Sequence, residues 1–478
     1  MQIVLGLVVL LALFIAVICI RAARFRPAKE TPVTPVPVAV DTEKITADMV
    51  AMIQCKTVSY RDESLVDRKA FEKFEKLLFD RYPAVAKAAD FKKIGKTGLL
   101  FHIKGKSDTA PSVLMAHYDV VPVDADGWEK DAFAGIVENG VIWGRGTLDT
   151  KGTLLGVMQA AESALKDGFV PENDLYLAFS GEEEIDGDTC KDIVAYLEQN
   201  GVTPAFVLDE GGAVVENVFP GVKSACAVIG IAEKGSVSLD MALTSNGGHA
   251  STPPPKTVMG KLSKAVVDIE SHPFPRRLTP PAAGLFDTLG RRSTFLYRLI
   301  FANLWCFMPL LDLICKLSGG ELNALVRTTV AVTRMQGSNA YNVLPPKGTV
   351  GLNVRLIGGD TIDSAVDYIK KVIKNDDIAV SVVGGMNPSI SSDVTSPAWQ
   401  KIETAVKQTF DNTVVSPYLM MACSDSRHYC RITDKVYRFS PMRLSKEERK
   451  MIHGNNERVP VDTLADTVAF YTRLLKML

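Results

Sequence analysis

The sequence predicts a mixed α/β fold: a mostly parallel sheet covered by helices, with a smaller ferredoxin-like domain inserted into the larger one. From about residue 41, short apolar segments such as 112–115, 175–179 and 205–208 alternate with helical patterns, which is typical of parallel strands buried on both faces. Between 236 and 383 the pattern becomes β-α-β-β-α-β, the ferredoxin-like order. From about residue 398 the first pattern resumes, which indicates that the smaller domain is an insertion.

Length and charge exclude several classes of protein. The 478 residues exceed one ordinary core and suit about two or three domains. With 47% hydrophobic and 23% charged residues, the chain is a folded protein rather than a disordered one. A formal net charge of −1, without a basic run, argues against a nucleic-acid partner, which demands a basic surface. The eight cysteines form no close CxxC pair, so we expect free thiols.

The patterns divide the chain into segments with different expected roles. We expect an N-terminal transmembrane anchor at 1–22, a proline-rich linker at 23–40, the first part of the larger domain at 41–232, the inserted domain at 233–386 with an apolar insertion near 274–320, and the second part of the larger domain at 387–478. The linker is expected to be extended, because prolines favour that conformation.

The N-terminal segment predicts a membrane anchor. Residues 3–20 are apolar and uncharged, and at about 1.5 Å per residue they reach roughly 27 Å, close to the hydrocarbon thickness of a bilayer. No basic residue precedes them and no small-residue cleavage site follows, which favours an uncleaved single-pass anchor over a signal peptide and secretion. Arg21, Arg24 and Arg26 place the body on the cytoplasmic side by the positive-inside rule, but long domains translocate regardless, so the side stays open.

The apolar stretch at 295–317 has three interpretations. We favour a buried helical hairpin in the inserted domain. A second membrane span is disfavoured by Arg298, Asp312 and Pro309. The remaining alternative is a surface that touches a bilayer or an acyl chain.

Five motifs carry side chains that bind metals. Each alone has an ordinary explanation as a surface histidine, a helix cap or an acidic turn. Several follow successive apolar strands, whose carboxyl ends meet at one edge of a parallel sheet. Histidine and carboxylate ligands without cysteine suit zinc, with Co²⁺ or Mn²⁺ as substitutes, and a carboxylate left over can serve as a general base. The motifs place the candidates at His117, Asp149, Glu183 with Glu184, Asp209 with Glu210, and His453.

A supporting carboxylate lies close to the first of these ligands. His117 and Asp119 are two residues apart, and in an extended chain such residues share one side. Asp119 can therefore accept the ring proton that a metal-binding His117 does not use. Spacing alone leaves open whether Asp209 or Glu210 is the ligand, since both follow directly after the apolar segment at 205–208.

The order of these motifs resembles the dinuclear zinc metallopeptidase family of aminoacylases, carboxypeptidases and succinyl-diaminopimelate desuccinylase, over about residues 41–478. The VLDEGG stretch at 207–212, the N-terminal apolar segment and the apolar insertion resemble its Gly-Xaa carboxypeptidase and N-fatty-acyl-amino-acid synthase/hydrolase branch. The resemblance implies a hydrolase that cleaves a peptide or amide bond beside a free carboxylate. Alternatives are an N-acyl-amino-acid amidohydrolase or synthase acting on hydrophobic acyl chains, and an inactive, membrane-tethered binding protein.

The resemblance also implies a role for each residue and two zinc ions per subunit. One ion is held by His117 with the carboxylate of Asp209 or Glu210, of which the resemblance favours Asp209. Glu184 and His453 hold the other. Asp149 bridges both, through a cis peptide to the next residue. As catalytic residues, Asp119 supports His117 and Glu183 moves a proton from the attacking water to the leaving amine.

The inserted domain resembles the lid and dimerisation domain of this family. By that resemblance His249 polarises the scissile carbonyl, often from a neighbouring subunit. Asn342 and Arg355 hold the carboxylate of a small peptide or N-acyl amino acid, and a guanidinium suits this role through paired hydrogen bonds. A turn histidine and a strand-surface ion pair are the ordinary explanations of His249 and Arg355.

Overall fold

The computed structural model describes residues 1–28, 33–216, 218 and 221–478. The expected linker at 23–40 therefore falls partly, at 29–32, outside the described residues. From the N-terminus to residue 233 the elements are α1 (Gln2–Arg24), α2 (Thr42–Ile53), α3 (Arg68–Arg81), α4 (Pro83–Ala88), β1 (Ala89–Ile94), β2 (Gly98–Ile103), β3 (Ser107–His117), β4 (Ile136–Glu138), β5 (Val141–Trp143), α5 (Lys151–Lys166), β6 (Asn173–Ser180), α6 (Thr189–Gln199), β7 (Phe206–Val215) and β8 (Cys226–Glu233).

The rest of the chain first builds a second sheet and then returns to the first. Its elements are β9 (Gly235–Thr244), β10 (Gly248–His249), α7 (Val258–Ser271), α8 (Pro280–Arg292), α9 (Phe295–Phe301), α10 (Leu304–Ser318), α11 (Gly320–Val326), β11 (Thr329–Gln336), β12 (Val343–Leu344), β13 (Lys347–Leu356), α12 (Ile362–Ile373), β14 (Ala379–Met386), α13 (Pro397–Thr409), β15 (Val414–Met420), β16 (Val436–Arg443), α14 (Lys446–Arg449), β17 (Arg458–Pro460) and α15 (Val461–Leu475).

The larger sheet has eight strands in the order β1-β2-β6-β3-β7-β16-β8-β15. Its centre is parallel, since β3 pairs in parallel with β6 and β7, and β7 with β16. The register at the centre brings Leu114 opposite Leu177 and Leu208, so the apolar strand segments stack side by side. Helices α5 and α15 pack together within the main core, and α6 belongs to a separate core with β3 residues such as Val113. The predicted mostly parallel sheet with helical cover is confirmed.

The smaller sheet has four antiparallel strands in the order β11-β13-β9-β14. Helices α7 and α12 pack on it and share its own hydrophobic core. Their starts are fixed by side chains that accept backbone N–H groups: Thr257 accepts from Gly260, and Thr361 accepts from Ser364. The predicted β-α-β-β-α-β order is confirmed between strands β8 and β15 of the larger sheet.

The apolar insertion forms four helices, α8 to α11; α8 packs on the larger sheet, and the others add side chains such as Phe301, Leu311 and Leu325 to the main core. Helix α8 covers β15, and its Leu285, Phe286 and Leu289 belong to the main core. Several side chains of α9 and α10, among them Leu296 and Trp305, are exposed. The interpretation of 295–317 as a buried hairpin of the smaller domain is therefore wrong. The edge strand β15, which follows much later in the sequence, supplies the apolar surface that α8 covers.

One straight helix among the described residues, α1, is long and apolar enough to cross a membrane, and nearly all of it is exposed. Its length and composition also fit a signal sequence. Helices α9 and α10 pass the same test only as a pair, and they are bent by 102° at their junction.

Candidate metal centre and active site

The ends of two neighbouring parallel strands bring the first candidate ligands together. Strand β3 ends at His117, which lies opposite Ser180, the last residue of β6. A short 3₁₀ turn, Glu183–Ile185, follows directly after β6. Because both strands run in the same direction, His117 and the carboxylates of this turn lie at one edge of the sheet.

A bulge in β7 decides which of two adjacent carboxylates faces His117. Asp209 lies opposite Arg438 on β16, but the next paired residue is Gly212, so two residues are extra on β7. Glu210 Oε1 lies 3.4 Å from His117 Nε2. Asp209 is buried on the other side, where its Oδ2 accepts a hydrogen bond of 3.1 Å from the backbone N–H of Ser426.

Asp149 lies between the two imidazoles. Its Oδ1 is 3.0 Å from His117 Nε2, and its Oδ2 is 3.0 Å from His453 Nε2. Glu184 Oε2 is 2.9 Å from the same nitrogen of His453. The peptide bond from Asp149 to Thr150 is cis, as the resemblance implied.

The structure groups these side chains into two sets that share one histidine. In each set the ligand atoms lie within 4.8 Å of one another. Asp209 belongs to neither set among the described residues, and His453 joins through its contacts with Asp149 and Glu184. The sets are His117 with Asp149 and Glu184, and His117 with Glu183 and Glu210.

The charge balance of this cluster is that of a cation site. Burial raises the pKa of Glu183 well above its usual range and that of Glu210 to about 8, although His117 opposes both shifts. Burial alone would lower the pKa of His117, but the carboxylates of Glu210, Asp119 and Asp149 raise it well above its usual value. The hydrogen bonds to Asp149 and Glu184 raise the pKa of His453 to about 10. More carboxylates than imidazoles are buried here, and bound cations would relieve that excess, so these residues fit metal ions.

Asp119, which the spacing predicted to lie beside His117, joins two parts of the cluster. Its Oδ1 lies 3.3 Å from His117 Nδ1, and its backbone oxygen accepts from the same nitrogen at 3.0 Å. The backbone N–H groups of Glu183 and Glu184 both donate to its carboxylate at 3.2 Å, and Ser59 Oγ donates at 2.7 Å. One fully buried carboxylate therefore orients the imidazole and fixes the turn that carries two more acidic groups.

A family model supplies the identification that this geometry suggests. The model of "Peptidase family M20/M25/M40" matches residues 113–477. The chain belongs to this family. Its members depend on metal ions, typically two, so the chain is a metal-dependent peptidase or amidohydrolase, and the predicted resemblance is confirmed.

Relatives of this M20 chain cover most of its length. It is 33% identical over 429 residues to a "Probable carboxypeptidase S-like 2" of Dictyostelium discoideum, covering 88% of this chain and 82% of the relative. It is 35% identical over 430 residues to an "N-fatty-acyl-amino acid synthase/hydrolase PM20D1" of Xenopus tropicalis, covering 89% and 84%. The carboxypeptidase-like class of enzyme is thus supported by a relative of high coverage.

Solved structures agree on the fold. The M20 metallo-carboxypeptidase of Sulfolobus solfataricus superposes with a TM-score of 0.65 at 17% identity, covering 91% of this chain and 99% of that one. A Bacillus subtilis protein described as a dinuclear metal binding peptidase from the M20 family gives 0.57 at 11% identity, covering 91% and 99%.

The remaining candidates of this M20 chain lie in the smaller domain. His249 on β10 pairs with Val343 on β12, and the backbone oxygen of the neighbouring Asn342 accepts from Ala250. His249 and Asn342 are exposed, and neither belongs to the metal sets. Arg355 on β13 is half-buried and points at the larger domain, where its Nη1 lies 3.6 Å from Cys423 Sγ.

One residue that holds the site was given no role by sequence reasoning. Glu457 is fully buried and accepts from Arg145 Nη1 at 2.7 Å and from the backbone N–H groups of Gly146 and Leu148 at 3.0 and 2.7 Å. Burial raises its pKa, and Arg145 opposes that rise. It thereby fixes the loop that ends at Asp149. The signal was present, since an arginine between two glycines and a glutamate just after His453 are an opposite-charge pair within two ligand motifs.

Proposed function

We propose that this enzyme hydrolyses a peptide or amide bond next to a free carboxylate, as a carboxypeptidase or dipeptidase does. The observation that carries the proposal is the position of Asp149 between His117 and His453, with Glu183 beside them. The relative named as a carboxypeptidase S-like protein supports the same class.

The donor set supports a site for two zinc ions, with Co²⁺ or Mn²⁺ as substitutes, because it consists of imidazoles and carboxylates without a thiolate. In this proposal His117 and Glu210 hold one ion, and Glu184 and His453 hold the other. Asp149 would contribute to both, since each of its carboxylate oxygens faces a different imidazole. Glu210 is preferred over Asp209 because its Oε1 is 3.4 Å from His117 Nε2, whereas Asp209 is committed to a backbone N–H group.

Glu183 is the proposed general base. When bound, the two ions polarise the substrate carbonyl and make an attacking water more acidic. The Glu183 carboxylate accepts the proton of that water and returns it to the leaving amine nitrogen. Its buried position suits both transfers, because burial raises its pKa well above the usual range of a carboxyl group and so makes the carboxylate a stronger base.

The smaller domain supplies the proposed clamp for the substrate carboxylate. We assign 41–232 with 387–478 to the catalytic domain and 233–386 to the lid, apart from the insertion helices α8 to α11, which join the core of the larger domain. Arg355 reaches the wall of the larger domain at Cys423 and binds the carboxylate. Asn342 and His249 are exposed in a single chain, which suits a homodimer in which they complete the partner's site.

Replacing the base without removing a ligand tests the mechanism. Glu183→Gln is expected to abolish hydrolysis of a panel of dipeptides and N-acyl amino acids while the bound metal stays at the wild-type amount. Glu182→Gln is the matched control, since the Glu182 carboxylate accepts from Thr189 Oγ1 outside the metal sets. Full activity of the Glu183 variant would overturn the assignment. Absence of turnover by the metal-loaded wild-type enzyme on the whole panel would favour the inactive binding protein.

Metal content separates the two adjacent carboxylates. Glu210→Gln is expected to lose one metal ion per chain in elemental analysis, and Asp209→Asn to keep both. The reverse result would reassign the ligand to Asp209.

A second candidate substrate, an N-acyl amino acid with a hydrophobic acyl chain, is favoured by an apolar cavity. A cavity of about 490 Å³ lies among the insertion helices and β15, in the size range of small-molecule pockets. Phe307, Leu310 and Leu325 are among its mostly apolar lining residues. The relative named as an N-fatty-acyl-amino acid synthase/hydrolase supports the same candidate.

A cavity-narrowing variant distinguishes the two candidates. Leu310→Trp is expected to raise KM for long N-acyl amino acids and to leave short dipeptides unaffected. Leu313→Trp on the same helix is the control, because Leu313 does not line the cavity. Equal kinetics of both variants on every acyl length would remove the acyl-chain candidate from this cavity.

For location, we propose that α1 is an uncleaved single-pass anchor. Its 23 residues support this, together with Arg21 and Arg24 in its last turn and Arg26 just after it. N-terminal sequencing of the mature protein tests it, and a new N-terminus near residue 25 would instead indicate a cleaved signal sequence. Protease protection in sealed vesicles gives the side of the membrane.

A further inference from the structure

Helix α10 has the polarity of a lipid-facing helix rather than a water-facing one. Its Trp305, Leu313 and Leu317 are 61%, 52% and 80% exposed. Its acidic residue Asp312 is only 8% exposed and is paired with the buried Arg327 on the inner side. The one exposed charge of the described part of α10, Lys316, is tied back to the same carboxylate at 3.1 Å. A helix at a protein–water boundary has the opposite arrangement, with charges outside and apolar residues inside.

The junction between α9 and α10 is fastened to the end of α1. Arg21 Nε donates to Asn303 Oδ1 at 3.0 Å, and Arg21 Nη2 donates to the backbone oxygen of Ala302 at 3.1 Å. Asn303 Nδ2 in turn donates to the backbone oxygen of Ile18 at 3.0 Å. These bonds fix the depth of the junction relative to α1.

An aromatic contact carries this connection further along α1. The rings of Phe14 and Trp305 meet edge to face, with their centroids 6.0 Å apart. Phe14 lies seven residues before Arg21, which is about 10 Å along a helix axis. Trp305 Nε1 also donates to Asn303 Oδ1 at 3.4 Å, the oxygen that accepts from Arg21 Nε, so the indole extends from the level of the Arg21 guanidinium toward Phe14. When Arg21 lies at the headgroup level, Trp305 therefore lies just beneath it, in the interfacial layer where tryptophan is enriched.

The charges around this surface complement a membrane. Arg24 and Arg26 follow Arg21, and Arg291 of α8 stacks on Phe25 with its guanidinium carbon 4.5 Å from the ring centre. Arginines near headgroups are attracted to anionic lipids, and tryptophan is enriched at the same boundary. The apolar side chains of α9 and α10 thus adjoin a basic rim, as expected at the edge of a bilayer.

We propose that α9 and α10 lie in the surface of a phospholipid bilayer beside α1, so that the enzyme body is seated on the membrane rather than only tethered to it. The occupant of the exposed apolar side of α10 is lipid, because this side is continuous with the helix that is apolar enough to span a bilayer. This contact with lipid rests on the proposed anchoring by α1, and it does not depend on which bond the enzyme cleaves.

Tryptophan quenching in the full-length protein tests this contact. Of the four tryptophans, only Trp305 lies in the apolar insertion. In vesicles of phosphatidylcholine with brominated acyl chains, about a quarter of the tryptophan emission is expected to be quenched, one tryptophan in four. Trp305→Phe is expected to lose this quenching, and Trp143→Phe, the control, to retain it. Equal quenching of wild type and Trp305→Phe would overturn the proposal.

A second variant separates contact from anchoring. Leu313→Glu with Leu317→Glu places two carboxylates on the exposed side, where they disturb no core. Quenching of Trp305 is expected to fall while the chain still floats with the vesicles through α1 and keeps its far-ultraviolet circular dichroism. Unchanged quenching would contradict the proposal. So would a Trp305 that is protected both from brominated lipid and from aqueous iodide, which would indicate pairing of two copies through this surface.

Discussion

Replacing Glu457 with glutamine should loosen the loop that carries Asp149. The two carboxylate oxygens accept hydrogen bonds from different donors. Oε2 accepts from Arg145 Nη1 at 2.7 Å and from Gly146 N–H at 3.0 Å, and Oε1 accepts from Leu148 N–H at 2.7 Å. A glutamine has only one acceptor atom. Whichever way its amide turns, an NH₂ group faces a buried donor, and Arg145 loses its counter-charge.

The expected cost follows from the burial of this pair. Removing one partner of a buried ion pair destabilises by about 3–5 kcal/mol, and about 3 kcal/mol is roughly a hundredfold change in an equilibrium constant. In the metal-free protein, hydrogen exchange of peptides covering 144–152 should therefore accelerate by roughly a hundredfold or more in Glu457→Gln. Metal is removed first, so that ligation does not mask the loss.

A second glutamate, exposed and far from this loop in the sequence, provides the control for the hydrogen-exchange experiment. Glu270 on α7 is exposed, so Glu270→Gln should leave exchange at 144–152 unchanged. Equal protection of these peptides in wild type and Glu457→Gln would refute the argument that Glu457 holds the loop.

Three further outcomes follow from the same structure. Asp119→Asn should weaken metal binding by about 10- to 100-fold, since it removes the carboxylate that orients a ligand; chelator competition measures this, and unchanged affinity would contradict it. The metal-free protein should lose stability as pH rises from 6.5 toward about 10, because His453 has a pKa near 6.5 when unfolded and of about 10 when folded, and it loses its stabilising proton over that interval. Chemical denaturation at a series of pH values should show a smaller decrease of the free energy of unfolding with pH in His453→Asn. Gly212→Ala should prevent folding, because its Cβ would lie 1.7 Å from the Val228 carbonyl oxygen, whereas Gly384→Ala meets nothing within 4 Å and should fold; soluble yield and circular dichroism decide.

The candidate ligands could be predicted because local sequence and strand direction suffice for them. His117 ends an apolar strand, and Glu183 and Glu184 follow another, so a parallel sheet brings them to one edge. The sequence pattern alone did not place Asp149 and His453 at the site, because both lie on loops. Only the resemblance to a family indicated that they lie beside the other candidate ligands.

The choice between Asp209 and Glu210 could not be made from the sequence. Adjacent residues in a strand point to opposite faces, so the answer depends on the local register. The register shifts between Asp209 and Gly212 because β7 has two extra residues opposite β16, a strand that follows more than two hundred residues later. A bulge of this kind is set by pairing and leaves no local pattern.

The apolar insertion shows a similar limit. Its composition predicts that it packs against an apolar surface, but composition does not indicate which part of the chain, or which other molecule, provides that surface. In the structure α8 covers β15, α9 packs on α1, and much of α10 is exposed. Residues 274–320 contact residues 14–25 and 414–421. No periodicity within the insertion could indicate these distant partners.

The sequence by itself determined the α/β class, the inserted second sheet and several of the candidate metal ligands, because strand periodicity and strand ends are local features. Only the tertiary structure decided that Glu210 rather than Asp209 faces His117, that Glu457 holds the loop of Asp149, and that α9 and the start of α10 lie against α1. Each of these depends on contacts between segments far apart in the chain, and such contacts are set by how whole elements pack.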